Sequence, residues 1–410
     1  MGLGIGAQVE AGGGHSIAAD ETARVVRDRL RPHFEELAQC GSTPELLGHS
    51  LYRQIQPLAD RVLATTENGT FAPPDAPAKS SYRLLAWNIE RGIEFEAQME
   101  EFGGHDYLRS ADVLLLTETD VGMARSGNRN VARDLARELG LNYAFAPCYL
   151  NLSKGAGVES ESAGENDVGL HGNALLSRYP LRNPRRIALG NGRDKMRGRE
   201  KRLGQQAAIA AEVDLPGLPL TACSVHLDAQ SRRRHRRDQM ELVIDGLPPD
   251  GPAVIAGDWN TTTFDSSSAR SVIIGYFVRL TFGVNNMIKG HFLRPYAFFE
   301  RDLFRLLERR GFEWRSSNVL DERTTSYDVE DAKTHKNLRE WVPEWCFDFV
   351  RWALRDFDGK CPLKIDWFAT RGLSPKDPIV LHEFRENRVP PLSDHDVIGL
   401  DLPVPARTAT

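Results

Sequence analysis

YRLLAWNIE, residues 82–90, is an apolar run that delivers an amide and a carboxylate, Asn88 and Glu90, at its C-terminal end. Working outward, the same construction recurs in ADVLLLTETD (111–120), which ends by Glu118, in LPLTACSVHLD (218–228), which presents His226, and in PAVIAGDWN (252–260), which presents Asp258 and Asn260. HGNALLSRYP (171–180), QAAIAAEVDL (206–215), LKIDWFAT (363–370) and HDVIGLDL (395–402) read as further strands. Helical periodicity lies between them at Val131–Leu139 and at Arg232–Leu247, where Met240, Val243, Ile244 and Leu247 share one face. Short buried runs alternating with amphipathic helices predict an α/β fold. Polar groups at strand ends mark where a site is built, because a rigid strand aims the group and its mouth is solvated.

The chain of 410 residues, 41% hydrophobic, is long enough for one large core with an appendage. A net charge of −5 does not fit a general nucleic-acid binder, which is usually strongly basic, although a local basic patch is compatible with it. The five cysteines are scattered and include no C-x-x-C pair, so neither a disulfide framework nor a zinc site is indicated and a reducing compartment fits. The opening MGLGIGAQVEAGGGHS has no cationic segment or apolar stretch of signal-peptide length, so the expected location is cytoplasmic.

Residues 1–18, rich in Gly and Ala, read as a disordered terminus. Two helices are predicted over 19–66. The first runs from Glu21 to Ala38, and the second opens with Thr43 as N-cap and Pro44 in its first turn. Their apolar stripes (Val26, Leu30, Phe34; Leu47, Leu51, Ile55) are a candidate docking face for a partner. NGTFAPPDAPAKSS places a linker at 67–80, and the catalytic domain is expected over 81–410.

The collected polar groups are mostly hard oxygen donors, which favour Mg²⁺, Mn²⁺ or Ca²⁺ over zinc or copper. H-E-x-x-H, G-x-S-x-G and G-x-x-x-x-G-K-[ST] are all missing from the sequence, which removes the zincin, nucleophile-elbow and P-loop classes. A carboxylate-held metal with His226 and His395 beside it suits attack of water on a phosphate ester.

The ordered series LLAWNIERG, LLLTETD, GNALLSRYPL, SVHLD, AGDWNTTT, KIDWF and LSDHD resembles the endonuclease/exonuclease/phosphatase superfamily of DNase I-like metal-dependent phosphoesterases. The resemblance implies a four-layer sandwich, two mixed β-sheets face to face with helices outside. It implies Mg²⁺ or Mn²⁺ held chiefly by Glu118, with Asn88, Glu90 and Asp394 in the metal shell. Asp258 would orient the attacking water, Asn260 would hold a phosphate oxygen, and His226 would face the phosphate from the other side. His395 would contact the scissile phosphate with Asp366 fixing its tautomer and charge, a pairing that makes sense because a carboxylate raises a histidine pKa.

Two positions depart from the usual pattern. Glu90 stands where Asp is common, and Asp396 adds a negative charge after the terminal S-D-H. The long spacing from Asn260 to Asp366 marks an insertion, placed at 266–300. Its aromatic segment Ser271–Phe299 reads either as a helical subdomain or as a lid or membrane-interface element, being too interrupted to span a bilayer; LREWVPEWCFDFVRW (338–352) is a second aromatic cluster. The run Arg232–Arg237 and the loop Asn191–Arg202 are each either a solvated face or a cationic contact for an anionic substrate. Substrate-binding candidates are His171, Asn173, Arg199, Arg202 and Arg236. The leading function is phosphoester hydrolysis, with nucleic acid among the candidate substrates. The alternatives are a phospholipid or sphingolipid phosphodiesterase using the aromatic insertion, and a catalytically idle binding module.

Overall fold

In a computed structural model the described residues are 17–229, 231–261, 283–328, 352 and 354–406. Residues 1–16, the start of the insertion and nearly all of the 338–352 cluster lie outside them. In chain order the strands are β1 (Glu67–Thr70), β2 (Ser81–Arg91), β3 (Val113–Val121), β4 (Asn142–Asn151) and β5 (Leu170–Ser177). Next come β6 (Leu181–Ala188), β7 (Arg202–Gly204), β8 (Ala207–Val213), β9 (Leu220–Ser224) and β10 (Ala253–Asp258). The last are β11 (Thr325–Asp328), β12 (Lys360–Leu363), β13 (Asp366–Arg371), β14 (Lys376–Leu381) and β15 (Val397–Pro403).

One sheet of eight strands runs β1-β4-β5-β3-β2-β15-β14, with β7 also on β4; a second of five runs β13-β10-β9-β8-β6, and β11-β12 form a hairpin. Both large sheets are mixed, with β2/β3 and β9/β10 parallel and the other pairs antiparallel. The period of two along each strand explains how they stack. On β2, Leu84 and Ala86 face inward, where with Leu115 and Ala144 they meet Ile209, Ala222, Val254 and Phe368 of the second sheet. Leu85 and Trp87 face outward under helices. On the far side, Cys223, Ile255 and Trp367 carry Met240 and Val243 of the helix Arg233–Asp245 and Leu303 and Phe304 of the helix Arg301–Arg309. The order helix, sheet, sheet, helix is the four-layer sandwich that the resemblance implied.

The N-terminal helices depart from the sequence reading in detail. Instead of one helix to Ala38, α-helix Ile17–Val25 continues as a π-turn (Val26–Leu30) and a 3₁₀ turn (Arg31–His33) before Phe34–Leu37. Pro32 lacks the N–H that a regular helix needs there. The second helix is capped by Ser42, whose Oγ accepts from Glu45 N, rather than by Thr43, and extended His49 divides it into Thr43–Gly48 and Ser50–Ala64. Val26, Leu30, Phe34, Ile55 and Val62 are buried in the same core as Tyr143 and Phe145 of β4. Each such side chain gains about 1.5–3 kcal/mol by leaving water. Most of the stripes read as a partner's docking face, Val26, Leu30, Phe34 and Ile55, are therefore occupied by the chain's own core, while Leu51 is partly buried and Leu47 stays exposed. The stretch 67–80 contains β1, paired to β4 from Glu67↔Phe145 to Thr70↔Asn142.

In the described part of the insertion, Met287, Ile288 and Phe292 pack on Leu354, Leu363 and Ile365, directly behind Asp366. No helix among the described residues is long and apolar enough to cross a membrane.

Candidate active site

Strand direction brings distant residues together. Parallel β2 and β3 place Asn88 beside Thr117, so Asn88 and Glu118 emerge at the same end of the first sheet. Parallel β9 and β10 end alongside, with His226 just past the end of β9 and Asp258 the last residue of β10. β13 starts antiparallel to β10 with Asp366 directly opposite Asp258, and β15 starts antiparallel to β2, so Asp394 and His395 enter from the loop before it. Gly257 permits the approach of β9 to β10: at φ 134° it has no side chain, and a Cβ there would lie 2.3 Å from Val225 O. Glu90, Arg91, Glu118 and Asn260 adopt positive φ (47°, 68°, 55° and 50°), each costing on the order of 1–3 kcal/mol, the kind of strain that collects at functional sites.

Asn88 is the hub. Its Nδ2 donates to Glu118 Oε1 (3.1 Å) and Asp258 Oδ2 (3.3 Å) and lies 3.4 Å from His395 Nε2, while its Oδ1 accepts from Glu90 N (3.1 Å). Expected in a metal shell, it turns its nitrogen to the carboxylates in this arrangement. His226 lies between Glu118 Oε1 (3.8 Å) and Asp258 Oδ2 (3.5 Å). His395 Nδ1 is 2.9 Å from Asp366 Oδ2, and its Nε2 is 3.7 Å from Asp258 Oδ2. Asp258 Oδ1 accepts from Asn260 N (2.9 Å), and Asn260 Nδ2 donates to Leu227 O (2.9 Å), which fixes the turn. Asn173 acts one step back, its Oδ1 accepting from Glu118 N (3.4 Å) and its Nδ2 donating to Ala207 O (2.7 Å).

Burial sets the charges. It would raise Glu118, but Arg91 and His226 hold that carboxyl well below its usual range. Burial pushes Asp258 up to about 6 against the pull of His226 and His395, with Asp366 adding to the rise. Burial would lower His395, yet Asp366 and Asp258 outweigh it and keep the imidazolium form well above the ordinary histidine range.

Both departures from the motif pattern have structural roles. The longer Glu90 reaches across so that its Oε2 accepts from Asp394 N (2.9 Å), tying the S-D-H loop to β2. Asp396 is fully buried and points away from the site, accepting from Arg385 Nε (2.8 Å) with His382 Nδ1 at 2.8 Å. Its charge is compensated there.

A charged wall adjoins Glu118 that sequence reading largely missed. Arg91 contacts Glu118 and Glu159; buried Arg125 forks Asp120 (2.7 and 3.0 Å) and reaches Glu159 and Glu200. His171 joins this wall, its Nδ1 2.8 Å from Asp120 Oδ1, and burial holds it below the usual histidine value although Asp120 opposes. Arg202 lies over the Tyr149 ring (5.2 Å) and pairs with Glu200. His171 and Arg202 were among the substrate-binding candidates, and Arg91 and Asp120 lay inside quoted motifs; Arg125 and Glu159 carried no signal. Arg199 lies exposed on its loop.

Arg236 does not reach the site: it is fully buried in the helix Arg233–Asp245 and its guanidinium pairs with Glu300, which anchors the end of the insertion. In the same run Arg237 pairs with Asp238 and Glu241, and Arg233 lies over Phe299. The loop 191–202 is likewise tied down. Lys195 pairs with Asp228 (3.0 Å), Asp194 accepts from Thr43 N and Oγ1 (2.9 and 2.5 Å), and Lys201 donates to Cys40 O (2.7 Å). The two cationic segments thus have many of their charges engaged internally, which weakens the case they made for a polyanion.

The model of the Endonuclease/Exonuclease/phosphatase family matches residues 85–395. The chain belongs to this family. Its members are phosphoesterases, typically hydrolases and generally dependent on a divalent metal. No curated protein matches the chain by sequence. Among solved structures it is similar to an endonuclease/exonuclease/phosphatase from Beutenbergia cavernae (15% identity, 81% of this chain and 74% of that one, TM-score 0.48). It is also similar to a Neisseria 3′ phosphatase bound to a product DNA hairpin (14%, 78% and 98%, TM-score 0.45). A third likeness is to the human Nocturnin catalytic domain with bound sulfate (15%, 82% and 96%, TM-score 0.43).

The donors around Glu118 fit the family's metal. Glu118, Glu90 and the exposed Asp394 offer hard carboxylate oxygens, and burial with a low pKa keeps Glu118 ionised. Asp258, Asp366 and His395 also lie close, with ligand atoms within 4.8 Å of one another. There Asp366 occupies the imidazole Nδ1, so this trio reads better as acid–base machinery than as a cation cage.

Proposed function

We propose that the protein hydrolyses phosphoester bonds by attack of an activated water, with Mg²⁺ or Mn²⁺ held by Glu118, Asp394 and Glu90. The observation that carries this reading is the contact of two unlike halves through Asn88: an ionised carboxylate, Glu118, on one side, and the Asp258–His395–Asp366 set on the other. When bound, the cation stabilises charge on the phosphoryl oxygens. Asp258, raised by burial, is a carboxylate able to take a proton from water near neutral pH. His395, held as imidazolium by Asp366, donates to a phosphoryl oxygen as charge builds on it. Asn260 and His226 border the same space and hold the remaining oxygens.

Turnover of bis(p-nitrophenyl) phosphate, with and without excess EDTA and in ¹⁸O-labelled water, tests the proposal. Activity lost to chelator, regained with Mg²⁺ or Mn²⁺, and label in the phosphate product are expected. Undiminished activity in EDTA, or unlabelled phosphate product, contradicts it. Absence of hydrolysis across aryl, nucleic-acid, sugar-phosphate and phospholipid substrates would favour an idle binding module.

A further inference from the structure

The charged wall beside Glu118 contains two arginines of opposite character. Arg125 is saturated, with contacts of 2.7 and 3.0 Å to Asp120, 2.7 Å to Glu159 and 3.0 Å to Glu200. Arg91 is not. Its two ion-pair contacts, to Glu118 Oε2 and Glu159 Oε1, are both 3.3 Å, longer than the roughly 2.7–2.9 Å of a well-made charge-assisted bond. Its Nε is buried with no hydrogen-bond partner among the described residues. A guanidinium with a buried, unpartnered Nε and only long ion-pair contacts has capacity for a further anion.

Arg91 also approaches Glu118 at a different oxygen from Asn88 and His226. Asn88 and His226 approach Oε1, whereas Arg91 approaches Oε2. Arg202 belongs to the same network one carboxylate further on, since Glu200 pairs with both Arg125 and Arg202.

The group now facing Arg91 is Glu159, whose Oε1 meets Arg91 and whose Oε2 meets Arg125. Glu159 does not come from a strand. It sits in a short 3₁₀ turn, Gly157–Glu161, at the sandwich edge, and its side chain enters past Gly155, where a Cβ would lie 2.7 Å from Glu159 Cβ. A carboxylate bridging two guanidiniums from a loop occupies the place a phosphate would take.

We infer that Arg91 anchors a second anion subsite, closed in the free protein by Glu159, and that the preferred substrate is a phosphoester bearing a second phosphate close to the scissile one. The inference rests on the phosphoesterase reading for the identity of the first subsite. Substrate binding displaces Glu159 from Arg91, and the second phosphate takes up the unsatisfied donors. Arg125, with its other partners intact, keeps the wall in place.

Calorimetric titration of the full chain with pyrophosphate and with orthophosphate, in metal-free buffer, tests the subsite without any turnover. Wild type should bind pyrophosphate at least roughly tenfold tighter than orthophosphate, since two anions are then held instead of one. Arg91→Ala should collapse this ratio toward one, Arg91→Lys should restore part of it, and Glu159→Gln, a loop substitution with little bearing on the fold, should widen it. Equal affinities in wild type, equal loss for both probes in Arg91→Ala, or an unchanged ratio in Glu159→Gln would overturn the inference. Because no hydrolysis is read, a failed phosphoesterase proposal and a failed subsite give different results.

Discussion

Asp258 and Asp366 are directly opposed in the antiparallel register of β10 and β13, with His395 reaching both, 2.9 Å from Asp366 at Nδ1 and 3.7 Å from Asp258 at Nε2. Opposed residues of an antiparallel pair share a face, so the Asp366 carboxylate raises Asp258's cost of ionisation and the His395 imidazolium opposes that rise. The arrangement separates the roles: Asp366 holds the ring, and Asp258 is left as the base.

That separation predicts non-additivity. Asp366→Asn and His395→Ala should each lower kcat/KM by roughly 10²–10⁴-fold, and the double variant should be little worse than the worse single one. Steady-state rates of the four proteins decide it; losses that add on a logarithmic scale would mean the residues act independently.

A pH profile follows from the same geometry. Asp258 is an acid whose folded value is raised to about 6, so its base form is present above that pH and lost as pH falls through it. Asp366 raises both Asp258 and His395, so Asp366→Asn should move both limbs of the kcat/KM profile to lower pH. Limbs that stay in place in this variant would contradict the coupling.

The buried pair Arg236–Glu300 is a stability device rather than a substrate contact. Arg236→Met should cost about 3–5 kcal/mol by leaving Glu300 buried and unpaired, and adding Glu300→Leu should recover much of the loss. Urea unfolding measures both; a larger effect on KM than on stability would return Arg236 to the substrate side.

The loop 191–202 is fastened to the N-terminal helices at Thr43–Asp194 and Lys201–Cys40. Asp194→Ala should loosen it, raising KM several-fold with kcat nearly unchanged and speeding hydrogen exchange across 191–202. Unaltered exchange would show that the latch does not restrain the loop.

What was legible in the sequence was local. Asn88, Glu118, His226 and Asp258 each lie at the end of an apolar run, so pattern alone could single them out, whereas Asp366 and the role of His395 came from the family resemblance; a sandwich with parallel pairs brings such ends together. The charged wall was legible only at His171 and Arg202, and not as a connected network. Arg125 finds Glu159 and Glu200, 34 and 75 residues away, through loops whose path no periodicity encodes. Arg236 was misread for a related reason: an arginine in the run RRRHRR looks solvated until Glu300 is brought against it from 64 residues on. Asp396 looked like added charge at the site because a sequence does not show that Arg385 and His382 lie behind it.

The central claim is that Glu118, kept ionised by Arg91 and His226 despite burial, is the carboxylate on which hydrolysis depends. Its most direct test is the turnover of bis(p-nitrophenyl) phosphate at saturating Mg²⁺ by wild type and by Glu118→Gln, with a thermal melt of each. A fall of at least roughly 10³-fold at an unchanged melting temperature is predicted. Turnover within a few-fold of wild type in a folded Glu118→Gln protein would contradict the account.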